Sequence, residues 1–206
     1  SDNGVVRLLE HYTGHTPSFV DFLVGGEREV GSQLREAASR HPMRFLKLLA
    51  SQWNNISESY RDDIMDGTTR FLALRDGGLQ TNDNWTPIET PDAPTLANQI
   101  IDELERHPTQ WRFNRSASKA LEACSHVVQD TQNSERLVFL AVDFLKVNED
   151  SPFHKDSVDL LTAGINMIGG NIAEALMILA SNLEELKVSP PELLAPALRE
   201  IARNGH

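Results

Sequence analysis

The stretch PTLANQIIDELERHP (residues 94–108) carries the periodicity on which the fold depends. Leu96, Ala97, Ile100, Ile101 and Leu104 recur at the three- and four-residue spacing of one helix face, whereas a half-buried strand would alternate. Pro94 fits at the start of such a helix, and Pro108 pushes His107 out of the helical region, so the pattern stops there. Towards the N-terminus, Tyr60, Ile64, Thr68, Phe71 and Leu72 form a second stripe, opened by Ser57 as N-cap. Phe45, Leu46, Leu49 and Trp53 form a third, with Pro42 at the first helical position. Val30, Leu34 and Ala38 place an earlier helix near 28–40. Towards the C-terminus the same spacing predicts helices near 114–129, 134–147, 155–167, 170–184 and 190–203. Only Phe19 to Val24 has the pattern of a short strand.

Helices of this kind joined by turns as short as QDTQN (129–133) must run antiparallel to their neighbours, and so pair as hairpins. The expected fold is therefore all-α: a single α-helical repeat domain over 1–206, built of about four stacked antiparallel hairpins in a HEAT/armadillo-like α-solenoid. A compact bundle is the alternative, and would bring the first and last helices together. One segment breaks the periodicity. DGGLQTNDNWTPIETPDA (76–93) holds two glycines and two prolines without helical spacing, so a long loop is expected between hairpins. Trp85, Pro87 and Ile88 would anchor it as an ordered loop across the helices; the simpler reading is an insertion pinned by one tryptophan.

Composition narrows the function classes. The 206 residues suffice to enclose a core without staples, and the single cysteine, Cys124, excludes an internal disulfide or a CxxC zinc site. Thirty acidic residues against 19 Lys+Arg give a net charge of −11, which argues against broad binding to phosphate backbones. No apolar run approaches the roughly 20 residues of a spanning helix. SDNGVVRLLEHYTG at the start has no signal-peptide pattern, so a cytoplasmic, reduced protein without membrane partners is expected. The missing initiator Met and the ending IARNGH point to a chain excised from a longer one.

Few residues carry catalytic patterns. Asp62-Asp63-Ile64-Met65-Asp66 has the form DDxxD, and Asp62 and Asp66 would share a helix face suited to magnesium bridging a diphosphate. A Mg-dependent enzyme is thus one alternative; a solvated acidic face beside Arg61 and Arg70 is the other. The histidines contain no HExxH, and a helix through His11 and His15 conflicts with Thr13, Gly14 and Pro17. His41 and His107 each precede a proline, where an imidazole can satisfy terminal carbonyls. Cys124 continues the apolar stripe of Ala117, Ala120 and Leu121, which makes it a core residue rather than a partner of His126. Gly25 to Gly31 is loop-like but lacks the GK[ST] of a P-loop, and Gly169-Gly170 reads as a tight hairpin turn. No catalytic residue, cofactor site or metal site is expected.

RHPTQWRFNRSASKAL (106–121) is the one basic island. Arg106, Arg112, Arg115 and Lys119 stand beside Trp111 and Phe113 without an acidic residue between them. Such a 106–119 stretch could recognise an acidic protein surface, a phosphate or a nucleic acid. Equally, Trp111 could pack the helix junction while the arginines pair with the acidic excess. Trp85, Trp111, Arg112, Arg115 and Lys119 are the candidate partner-binding residues.

GINMIGGNIAEALMILA (164–180) resembles a helical-hairpin motif of large bacterial P-loop ATPases whose C-terminal halves carry HEAT-like arrays. VGGEREVGSQLREAASRHP (24–42), WTPIETPDAP (85–94) and RSASKALEACSHVVQDT (115–131) look like parts of the same region in the same order. Proteins of this kind are STAND-type NTPases, some of which act in antiphage defence. The resemblance implies a sensor and scaffold array beside a separate nucleotide-binding module. No Walker A sequence lies in these residues, so ATP chemistry would belong to the parent protein. The expected function is a non-enzymatic recognition or scaffold segment that binds a protein ligand or the rest of its own chain.

Overall fold

The computed structural model describes residues 2–16, 25–75, 85–149 and 168–204. The possible strand at 19–24, the first half of the 76–93 loop and the helix expected at 155–167 lie outside them. Among the described residues all regular structure is helical, with ten α-helices and one 3-10 turn. None of these helices is long and apolar enough to cross a membrane. The chain divides into two compact units, Ser1–Pro91 and Asp92–His206.

The first unit contains α1 (Asp2–Tyr12), α2 (Glu27–Arg40), α3 (Pro42–Gln52) and α4 (Glu58–Arg75), with the 3-10 turn Trp53–Asn55 between the last two. No helix runs through both His11 and His15: α1, which the sequence reading did not place, stops at Tyr12, where Thr13 and Gly14 end it. Thr13 N–H closes on Leu9 O at 2.9 Å, and Gly14 follows in the left-handed region at φ +71°. The loop-like Gly25–Gly31 stretch also becomes helix from Glu27, whose neighbour Glu29 reaches back to accept Gly26 N–H at 2.8 Å.

α2 and α4 lie against each other, and glycines set their separation. A Cβ on Gly67 would meet Ala38 Cβ at 2.6 Å and press on the Arg35 carbonyl. A Cβ on Gly31 would run into the Asp63 carboxylate, with Cγ at 3.1 Å. The close approach buries Leu34, Ala38, Tyr60, Ile64 and Met65 in one core. Burial, with Glu27, Asp63 and Tyr12 nearby, pushes the Tyr60 phenol up to about 12.

Residues 85–91 complete this unit from outside its helices. Trp85 donates its indole N–H to Ser39 Oγ at 3.0 Å and sets its ring edge-on to Phe71, with centroids 6.0 Å apart. Ile88 and Glu89 N–H groups both donate to Arg40 O, at 3.0 and 2.9 Å. The Glu89 carboxylate accepts the Met43 and Arg44 N–H groups at 2.9 and 3.2 Å, supplying the cap that His41 does not give α3. Ile88, expected as an apolar anchor, is 65% exposed, because only its backbone is held.

The second unit contains α5 (Ala93–Arg106), the short α6 (Pro108–Trp111), α7 (Arg115–Ser125), α8 (Thr131–Glu149), α9 (Ile168–Leu186) and α10 (Leu194–Asn204). Three of its helix starts, those of α5, α7 and α8, are capped by side chains. Asp92 accepts Thr95 N–H at 2.9 Å; Asn114 accepts Ser116 and Ala117 N–H at 2.8 and 3.2 Å; Asp130 accepts Asn133 N–H at 2.8 Å. α7 packs against α5, α8 and α9 through small residues that include Ala117, Ala120 and Cys124. Gly169 and Gly170 do not form the expected hairpin turn: they lie in the first turn of α9. The buried Asn171 just beyond them donates to Ser118 Oγ at 3.0 Å. α9 ends with Lys187 in the left-handed region at φ 57°, where Val188 N–H bonds Leu183 O at 3.0 Å.

Candidate functional site

The basic island begins at the end of α5 and runs through α6 into α7. Its short α6 turns the chain, and the Asn114 cap fixes where α7 starts, so residues 111–119 have defined directions. Trp111 points inward and is only 2% exposed, which assigns its ring to packing rather than to contact with a partner. Phe113, two residues later, is 63% exposed. Arg115 and Lys119 are exposed four residues apart on α7, on one helical face.

Two cations of the island pair with carboxylates of the same unit. Arg106 pairs with the buried Glu103 one turn earlier, and Arg112, half-buried, reaches Asp143 of α8 at 3.3 Å. The exposed side chains of the island include Phe113, Arg115 and Lys119, with Glu122 near Lys119. Burial raises the Glu122 carboxyl above its ordinary range; Glu174 adds to this, while His126 and Lys119 oppose it. Such a face can bury one aromatic ring and offer two cations to an acidic surface. Trp85, the fifth candidate residue, belongs to the first unit and is occupied by Ser39 and Phe71.

The DDxxD residues lie on α4 against α2. Arg35 pairs with Asp63 and stands 3.7 Å from the Asp66 carboxylate. Burial raises the Asp63 carboxyl, and the Arg35 guanidinium counters that rise. A divalent cation at Asp66 would have to compete with this guanidinium. Among the described residues no three His, Cys, Asp or Glu side chains converge as a metal-binding group. Cys124 is fully buried, with its thiol 3.8 Å from Ala97 O and pushed up by the loss of solvent. Glu103 is pushed up to about 7 by burial against the pull of Arg106, but it lies 1% exposed inside the unit.

Other large apolar side chains of the second unit are exposed without having been singled out in the sequence: Phe139 at 64%, Met177 at 55% and Leu193 at 48%. Phe139 had a readable signal. In Leu137-Val138-Phe139-Leu140-Ala141 five successive apolar residues cannot all face one side of a helix at about 100° per residue. Four of them are buried and Phe139 is turned outward.

No family model matches the chain, and neither a curated protein nor a solved structure matches it.

Proposed function

We propose that the chain is a non-enzymatic recognition and scaffold segment made of HEAT-like stacked helical hairpins. Its ligand is another protein or the rest of a longer parent chain. The observation that carries this reading is exposure at the start of α7: Phe113, two residues before the helix, is 63% exposed, and Arg115 and Lys119 on the helix are exposed as well. A large exposed aromatic ring flanked by cations has little use in folding and suits a buried contact at an interface. The packing order in the second unit supports stacked hairpins: α5 contacts α7 and α8, α7 contacts α8 and α9, and α9 contacts α8 and α10.

From the resemblance we infer that the segment belongs to a cytoplasmic bacterial STAND-type NTPase, as the sensor region of a defence system, with ATP chemistry assigned to a separate module of that parent protein. The test uses the protein encoded by the complete reading frame. Arg115→Glu/Lys119→Glu should keep thermal stability and nucleotide hydrolysis while abolishing protection against phage in a plating assay. Equal protection by this variant would refute the site, and a frame without GxxxxGK[ST] would refute the parentage.

A further inference from the structure

The second unit carries a further surface, between α8 and the turn that leads into α10. Buried Val138 and Pro191 form its floor, and exposed Phe139 and Leu193 form its walls. Its volume is about 400 Å³, enough for one or two bulky apolar side chains. Glu105, Glu135 and Glu192 rim it. Among the described residues the only cation in the lining is Arg136, and it is already committed. Its Nε lies 3.0 Å from one Glu105 oxygen, and Nη1 reaches Asn98 and Asn133 at 2.7 and 3.0 Å. Asp102 shares the same guanidinium.

We propose that this groove docks a basic amphipathic segment of a partner protein, with apolar residues on Phe139 and Leu193 and Lys or Arg residues on the rim. A purely apolar occupant would desolvate Glu135 and Glu192 without pairing them, and an acidic one would be repelled. A helix with apolar anchors three and four residues apart and cations flanking them satisfies both requirements. The chain's net charge of −11 would also steer such a segment towards it. The inference rests on the reading of the chain as a recognition segment, but concerns a face other than the Phe113 surface of α7.

The test is a fluorescence-anisotropy titration of a labelled helical Leu/Lys peptide against the wild-type chain, Glu135→Lys/Glu192→Lys and Phe139→Ser. Circular dichroism checks that each variant is folded. Saturable binding that weakens about tenfold in each variant, and weakens with salt, is the expected result. Binding unchanged by both variants, or equally tight binding of a Leu/Glu peptide, would overturn the proposal. Sedimentation of the chain alone provides the other arm. A dimer that Phe139→Ser dissolves would make a second copy the occupant and would also overturn it. Arg115→Glu/Lys119→Glu should leave peptide binding intact, so failure at this groove is distinguishable from failure of the α7 surface.

Discussion

Replacing Gly67 by alanine tests the contact on which the first unit is built. The new methyl would sit 2.6 Å from Ala38 Cβ and 3.2 Å from the Arg35 carbonyl carbon, with the carbonyl oxygen nearer still. Carbon atoms at rest lie about 3.5–4.0 Å apart, so the overlap is about 1 Å against groups that cannot rotate away. α2 must shift as a body, and it carries Leu34 and Ala38 into the core. Overpacking of this kind costs about 1–3 kcal/mol, and in the worse cases more. The better helix propensity of alanine returns up to about 1 kcal/mol. Contacts this short put the cost near the upper figure, about 3 kcal/mol, so a net loss of about 2 kcal/mol is expected. Gly31→Ala is the control, because the atoms nearest its methyl all belong to the Asp63 carboxylate, whose Cγ is 3.1 Å away on a rotatable side chain. Turning that carboxylate loosens a part-exposed pair with Arg35 worth about 1 kcal/mol or less, which helix propensity offsets. Urea denaturation followed by far-UV circular dichroism measures both variants. The reasoning fails if Gly67→Ala equals or exceeds wild type in stability, or if Gly31→Ala is the costlier change.

Three other outcomes are expected. Burial holds Glu103 at about 7, above the ordinary 4.5, so between these values the folded chain keeps a proton that the unfolded chain has released. Stability from this group is full below the window and lost as pH rises through it, by up to about 3 kcal/mol. Glu103→Gln should therefore stabilise the chain above the window and change it little below; equal effects at both pH values would contradict this. Cys124, fully buried with a raised thiol pKa, should react with thiol reagents only at the rate of protein opening; fast labelling of the native chain would contradict its placement. Lys187→Gly removes a left-handed non-glycine residue at the end of α9 and should raise stability by about 0.5–1 kcal/mol in thermal or urea melts.

The helices were legible where apolar residues repeat along one face, as at Leu96 to Leu104, because that spacing is a local property of the chain. Local signals failed where the same residue serves two purposes. Gly169-Gly170 reads as a turn and lies in the first turn of α9. Gly31 and Gly67 are needed for space between α2 and α4, which appears only once the two helices are placed together. The site was legible in part. Composition found the basic island, but α6 has only four residues, too few for periodicity to show that Trp111 turns inward and Phe113 outward. The pairing of Arg112 with Asp143 spans two helices and leaves no trace in local spacing.

The claim that this chain works by surface recognition is tested most directly by placing a photo-crosslinking phenylalanine analogue at Phe113 in the complete encoded protein. Exposed Gln132 serves as the control position. A defined adduct, either within the encoded protein or to one other protein species, is expected at position 113. It should be lost on adding Arg115→Glu/Lys119→Glu. Crosslinking at 113 no greater than at 132, or unaffected by the charge reversal, would contradict the account.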